Sequence, residues 1–144
     1  MKKIILIITT CICFFISHSQ MVTAGDKIEE LNRQMEKSFG ENDMLSVASF
    51  YLDSALITAG GRMNITGRKG IDQYWMSLKD QNAQWKLATE SIEDYGVYVL
   101  ERGKSFLKFK TPTGSGQESK VRFFIIWKKT ADSYKILYDV FIRL

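Results

Sequence analysis

Apolar residues recur at three- and four-residue spacing in the first half of this chain and alternate in the second. Ile28, Leu31, Met35 and Phe39 follow the helical period, so a helix is predicted behind the capping pair Asp26 and Glu29, with Gly40 closing it. Asn42 or Asp43 opens a second, shorter helix that places Leu45, Ala48 and Tyr51 on one face, with Phe50 beside them. Ala55 to Ala59 reads as a short strand ending at Gly60-Gly61. After Gly67 and Gly70 a third helix carries Ile71, Tyr74, Trp75 and Leu78.

Four β-prone stretches make up the rest: Trp85–Asp94, Val97–Lys110, Glu118–Lys129 and Tyr134–Leu144. Tyr95-Gly96 and Ala131-Asp132-Ser133 are tight connections, and residues 111–116 form a longer polar loop. Gly103 inside the second stretch marks a bulge or bend. Helices first and a meander afterwards predict an α+β domain, with a curved antiparallel sheet carrying its helices on one face. In the third stretch Val121, Phe123, Ile125 and Trp127 share one face, while Arg122, Phe124, Ile126 and Lys128 share the other. The charges on the second set mark it as the outer face. Phe124 and Ile126 are then a candidate patch for a homodimer.

The N-terminus has a different pattern. Lys2 and Lys3 precede an apolar run from Ile4 to Ile16, and Ser17-His18-Ser19 supplies small residues before a cut at Gln20. This predicts a signal peptide over residues 1–19, a single domain over 20–144, and an exported (periplasmic or secreted) product. A second candidate cut follows Ala24. The run is short for a membrane span, and Cys11 and Cys13 lack the small preceding residue of a lipidation site. No membrane association is expected after cleavage.

That cut changes the available chemistry. The chain of 144 residues holds 2 Cys and 1 His, namely Cys11, Cys13 and His18. The mature chain therefore has no thiol and no imidazole. Histidine-based catalysis and zinc or haem sites built on these ligands are excluded, and neither a metal nor another cofactor is expected. The net charge of +4 falls to +2 when Lys2 and Lys3 leave. The remaining charges are interspersed, so nucleic-acid binding is not expected. One acid is conspicuous. Asp139 is the only carboxylic acid in the run from Ile136 to Ile142, in an otherwise apolar and aromatic strand. Partial desolvation there raises a carboxyl pKa unless a cation or donor compensates. If the strand alternates regularly, Leu137, Asp139, Phe141 and Arg143 share one face.

Phe50-Tyr51-Leu52-Asp53-Ser54-Ala55, then Gly60-Gly61, then Thr66-Gly67-Arg68-Lys69-Gly70-Ile71 with Tyr74-Trp75 resembles the nuclear transport factor 2-like superfamily. This group includes ketosteroid isomerases, SnoaL-like cyclases and small exported domains, the last being the closest likeness. The resemblance implies a cone: a strongly bent sheet wrapping three N-terminal helices around an apolar pocket, commonly as a dimer through the outer sheet face. It also argues against isomerase chemistry. The base carboxylate position falls on Ala59, the tyrosine donor on Met35, and the second acid near Ile125. The last two substitutions suit an apolar lining. Tyr138-Asp139-Val140 resembles the cyclase pattern of an acid/base Asp after an aromatic residue. Asp53 reads as a turn-capping residue, and Arg68 as a structural hydrogen-bonding group, with anion binding as the alternative.

The expected function is binding of a small apolar or amphipathic molecule without catalysis. The candidate ligand-binding residues are Tyr51, Trp75, Phe123, Ile125, Trp127, Leu137, Asp139 and Phe141. Two alternatives stand beside it. One is a cofactor-independent cyclase, isomerase or lyase using Asp139 as general acid/base, with Tyr51, Tyr74 or Tyr138 as oxyanion partner. The other is a protein-interaction module working through the outer sheet face.

Overall fold

The computed structural model describes residues 22–60, 63–109 and 116–144; the expected signal at 1–19, Gly61 of the predicted turn and residues 111–115 of the polar loop lie outside them. Helix α1 (Ala24–Gly40) begins two residues before Asp26. Thr23 is its N-cap: the Thr23 hydroxyl accepts from the Asp26 amide at 3.1 Å, and the Asp26 carboxylate accepts from the Thr23 amide at 2.9 Å. The capping box is thus Thr23 with Asp26, not Asp26 with Glu29. Aspartate fills the reciprocal position usually given to Glu or Gln. The buried stripe is Ile28, Leu31, Asn32, Met35 and Phe39, so a polar residue lies among the predicted apolar ones.

Asp43 caps α2 (Met44–Ala48), accepting from the Ser46 amide at 3.0 Å. This helix is too short to carry the predicted face. It buries Met44, Val47 and Ala48, leaves Leu45 exposed, and ends before Tyr51. Tyr51 instead opens strand β1 (Tyr51–Ala59), which starts well before Ala55. Next comes β2 (Met63–Thr66), a strand the sequence did not reveal because four residues hold too few alternations. Helix α3 (Gly67–Met76) follows and buries Ile71 and Trp75.

β3 (Ala83–Asp94), β4 (Tyr98–Phe109), β5 (Glu118–Lys129) and β6 (Tyr134–Arg143) form the predicted antiparallel meander. The sheet order is β2-β1-β6-β5-β4-β3, and β1 joins β6 in parallel. The first long strand therefore pairs with the last, and the curved sheet stays open between β2 and β3. α1 packs against β3 and α3 against β1, so the helices cover the inner face.

Two irregularities shape that face. The β3–β4 register skips between Thr89 and Ser91, opposite Gly103 and Arg102. A Cβ at Gly103 would stand 2.4 Å from the Ala88 carbonyl oxygen and 2.5 Å from Phe123 Cζ, so the bend predicted there also needs a residue without a side chain. The second skip, between β5 and β6, pairs Ile126 with Tyr138 but Trp127 with Ile136. Leu137 has no partner in that ladder, and regular alternation fails. Ile136, Asp139 and Phe141 belong to the inner face, whereas Tyr138 is exposed outside.

Candidate functional site

Between the helices and the sheet lies a cavity of about 170 Å³. α1 contributes Met35 and Phe39, α3 contributes Tyr74 and Trp75, and Tyr51 enters from β1. The sheet supplies Trp85 and Leu87 from β3, Ser105 and Leu107 from β4, and Ser119 to Ile125 at alternate positions of β5. Asp139 and Phe141 complete it from β6. Asp139 pairs with Ile125 across the ladder, so its carboxylate stands at one end of the lined stretch of β5.

Of the predicted ligand-binding residues, Tyr51, Trp75, Phe123, Ile125, Asp139 and Phe141 lie on this wall. Trp127 and Leu137 do not. Trp127 shares the inner face but is wholly buried beyond the cavity, where its indole donates to Glu101. Leu137 is the residue left over by the β5–β6 register skip. Tyr138, on the outer face, cannot serve as an oxyanion partner in the cavity, and Arg143 is exposed. Met35 and Ile125, aligned with two isomerase positions, are both on the wall.

Asp139 is the one ionisable carboxyl among the lining residues, which include no Lys, Arg or His. Burial raises its pKa to about 6; the Tyr51 hydrogen bond opposes that shift and the negative charge of Glu101 adds to it. The Tyr51 hydroxyl donates to Asp139 Oδ2 at 2.7 Å. Burial and the same carboxylate hold the Tyr51 and Tyr74 phenols above their ordinary range, so both stay protonated as donors. Trp75 Nε1 is buried without a hydrogen-bond partner of good geometry among the described residues. It lies near enough to the Tyr51 oxygen to draw that phenol's pKa down in part.

Arg68 explains why Tyr51 stands where it does. Its guanidinium donates to the carbonyls of Ala48 at 2.7 Å and Tyr51 at 3.2 Å, and it faces Asp72 at 3.0 Å and Asp53 at 3.7 Å. This structural clamp ties the start of β1 to α3 and fixes Tyr51 beside Trp75. Asp53 is an exposed strand residue in that cluster rather than a turn cap.

A second buried carboxylate lies outside the cavity. Glu101 is fully buried; its Oε1 accepts from Asn32 Nδ2 and Thr89 Oγ1, both at 2.6 Å, and its Oε2 from Trp127 Nε1 at 2.8 Å. Burial still raises its pKa, against those three donors and the charge of Arg33. The sequence carried a signal for this network. Glu101 shares a face with Val99, and Asn32 sits inside the apolar stripe of α1. Trp85 was missed as a lining residue in the same way, as one more aromatic at a strand's start.

No group of three potential metal-ligating side chains occurs among the described residues. What the cavity offers is an aromatic and aliphatic wall, phenol and indole donors, and one carboxyl that titrates near neutrality. Such a wall can hold an apolar body, and that carboxyl can accept a hydrogen bond or exchange a proton.

Solved structures share this architecture at low identity. An NTF2-like protein with a cystatin-like fold from Novosphingobium aromaticivorans superposes with a TM-score of 0.72 at 13% identity, over 84% of this chain and 82% of its own. A ketosteroid isomerase-like protein from Erwinia carotovora atroseptica gives 0.66 at 14%, over 82% and 94%. An NTF-2 like protein of unknown function from Shewanella oneidensis gives 0.69 at 13%, over 83% and 99%. No curated protein matches the sequence. The family model of the Nuclear transport factor 2 (NTF2) domain matches residues 37–142, from the end of α1 through β6, and the chain belongs to that family.

Proposed function

We propose that this chain is an exported binding protein for a small molecule with an apolar body, held in the cavity with its polar group against Asp139 and Tyr51. The observation that carries this reading is a single carboxylate, hydrogen-bonded by one tyrosine, on a cavity wall otherwise dominated by aromatic and aliphatic side chains. Export is the part carried by the basic and apolar N-terminal pattern alone. Fold and pocket accord with an NTF2-family binding site, and the family resemblance extends to both binders and enzymes.

One observation favours a second reading. A carboxyl with a pKa of about 6 beside two protonated phenols is equipped for general acid/base work on a bound substrate. Under that reading Asp139 moves the proton, and Tyr51 or Tyr74 donates to a developing oxyanion.

Two of the chain's three tryptophans, Trp75 and Trp85, line the cavity, so intrinsic fluorescence reports occupancy. Titration of the mature protein with tert-butylbenzene is expected to give a saturable fluorescence change. Val121→Phe, which fills the cavity, is expected to abolish it at a stability cost of about 1–3 kcal/mol. Equal binding by the filled variant would place the ligand elsewhere and end the proposal.

A further inference from the structure

The cavity's electrostatics are one-sided. Its wall contains one carboxylate and no cationic side chain, and no Lys or Arg forms an ion pair with Asp139 among the described residues. Tyr51 satisfies only Oδ2, and Oδ1 has no hydrogen-bond donor among the described residues. A partly desolvated carboxylate without a counter-charge is costly to keep. A cation arriving with the ligand would supply what the protein withholds.

The aromatic side chains point the same way. Tyr51, Tyr74, Phe39 and Trp85 gather around Trp75 with ring centroids 5.2–6.4 Å from its own. Phe39 and Trp85 are also 5.5 Å apart, so the rings form one continuous cluster on the cavity wall. Trp85 is held in place by its indole N–H, which donates to Ser105 Oγ at 2.8 Å. Aromatic faces carry negative potential and attract ammonium groups, most strongly where water is excluded. An anionic ligand would meet that potential and Asp139 together, with no positive side chain among the described lining residues to offset them.

We infer that the ligand of this cavity is an organic cation, an apolar-bodied amine or quaternary ammonium compound whose charge pairs with Asp139 and rests against the Trp75–Tyr51–Trp85 rings. The inference rests on the binding reading above and specifies the charge of what is bound. No covalent step is involved; the selectivity comes from the match between a negative interior and a positive guest.

A matched pair of probes tests it. Phenyltrimethylammonium and tert-butylbenzene differ by one nitrogen for carbon, hence in charge and hardly in shape. The mature protein is expected to bind the cation at least tenfold more tightly, read by tryptophan fluorescence at pH 8. Asp139→Asn is expected to erase that preference, bringing the ratio of the two affinities to about one, and an unchanged circular dichroism spectrum shows that the variant is folded. Trp75→Leu is expected to reduce the preference in part. Equal or tighter binding of tert-butylbenzene by the wild-type protein overturns the inference and leaves the pocket reading intact. Binding of neither probe overturns both.

Discussion

Asp139 gives the cavity its pH response. Its carboxyl holds a proton more tightly in the folded state, with a pKa of about 6 against 3.8 for the free group. Between these values Asp139 holds its proton in the native chain and loses it in the unfolded one, so its own contribution to stability falls as pH rises from about 4 to about 6 and is flat above. The surface carboxyls Asp26, Glu30, Glu90 and Glu93, held below their ordinary range, contribute with the opposite sign. The groups facing Asp139 do not reverse this sign. Tyr51 and Tyr74 remain protonated throughout, and Glu101, itself raised by burial, acts in the same direction. Asp139→Asn removes a desolvated charge at high pH. It is expected to raise stability by on the order of 1–2 kcal/mol at pH 8, with the gain vanishing toward pH 4. Urea unfolding of both proteins across that range measures the difference; a gain independent of pH would show that Asp139 is not the titrating group.

At the scale of elements, the decisive feature is a row across the inner sheet face. Ile57, Asp139, Ile125, Glu101 and Ile92 are successive register partners on β1, β6, β5, β4 and β3. Two carboxylates therefore share one row, separated by Ile125, with their backbones about 10 Å apart. Through the low-dielectric interior the charge of Glu101 lifts Asp139. Glu101→Gln is expected to move the Asp139 midpoint down from about 6 toward the ordinary carboxylate range, as followed by side-chain NMR. An unchanged midpoint would mean that burial alone sets it. Glu101→Ala is expected to cost about 2–4 kcal/mol, because Asn32, Thr89 and Trp127 lose their acceptor at once.

Much of this scale was legible in the chain. Alternation in β5 separated Phe123, Ile125 and Trp127 from exposed Phe124 and Lys128, and Gly103 marked the bend it now occupies. What escaped has a common cause. A capping box shifted by three residues, a four-residue strand, and the skip at Leu137 are each decided by partners distant in sequence. Period counting within β6 placed Leu137 on the cavity side; pairing with β5 placed Ile136 on the inner face instead.

For the molecule as a whole, the outer face of the sheet carries its own test. Phe124, Tyr138 and Ile142 are 36%, 41% and 43% exposed, and Phe124 pairs with Val140 and Ile126 with Tyr138 across the ladder. The expectation of a homodimer through this face predicts a dimer mass in sedimentation. Phe124→Glu should then yield monomers whose cavity still binds the neutral probe. A monomeric wild-type protein would refute it. The amino-acid sequence alone determined the α+β class, the meander, the confinement of thiol and imidazole to the first 18 residues, and the oddity of Asp139, since all of these depend on residue type and local period. Only the tertiary structure decided which side chains share a cavity. The Tyr51–Asp139 bond spans 88 residues of chain, and it exists because β1 lies parallel to β6 while Arg68 clamps the start of β1 to α3. Local periodicity assigns a residue to a face; long-range strand pairing and its irregularities decide what that face meets.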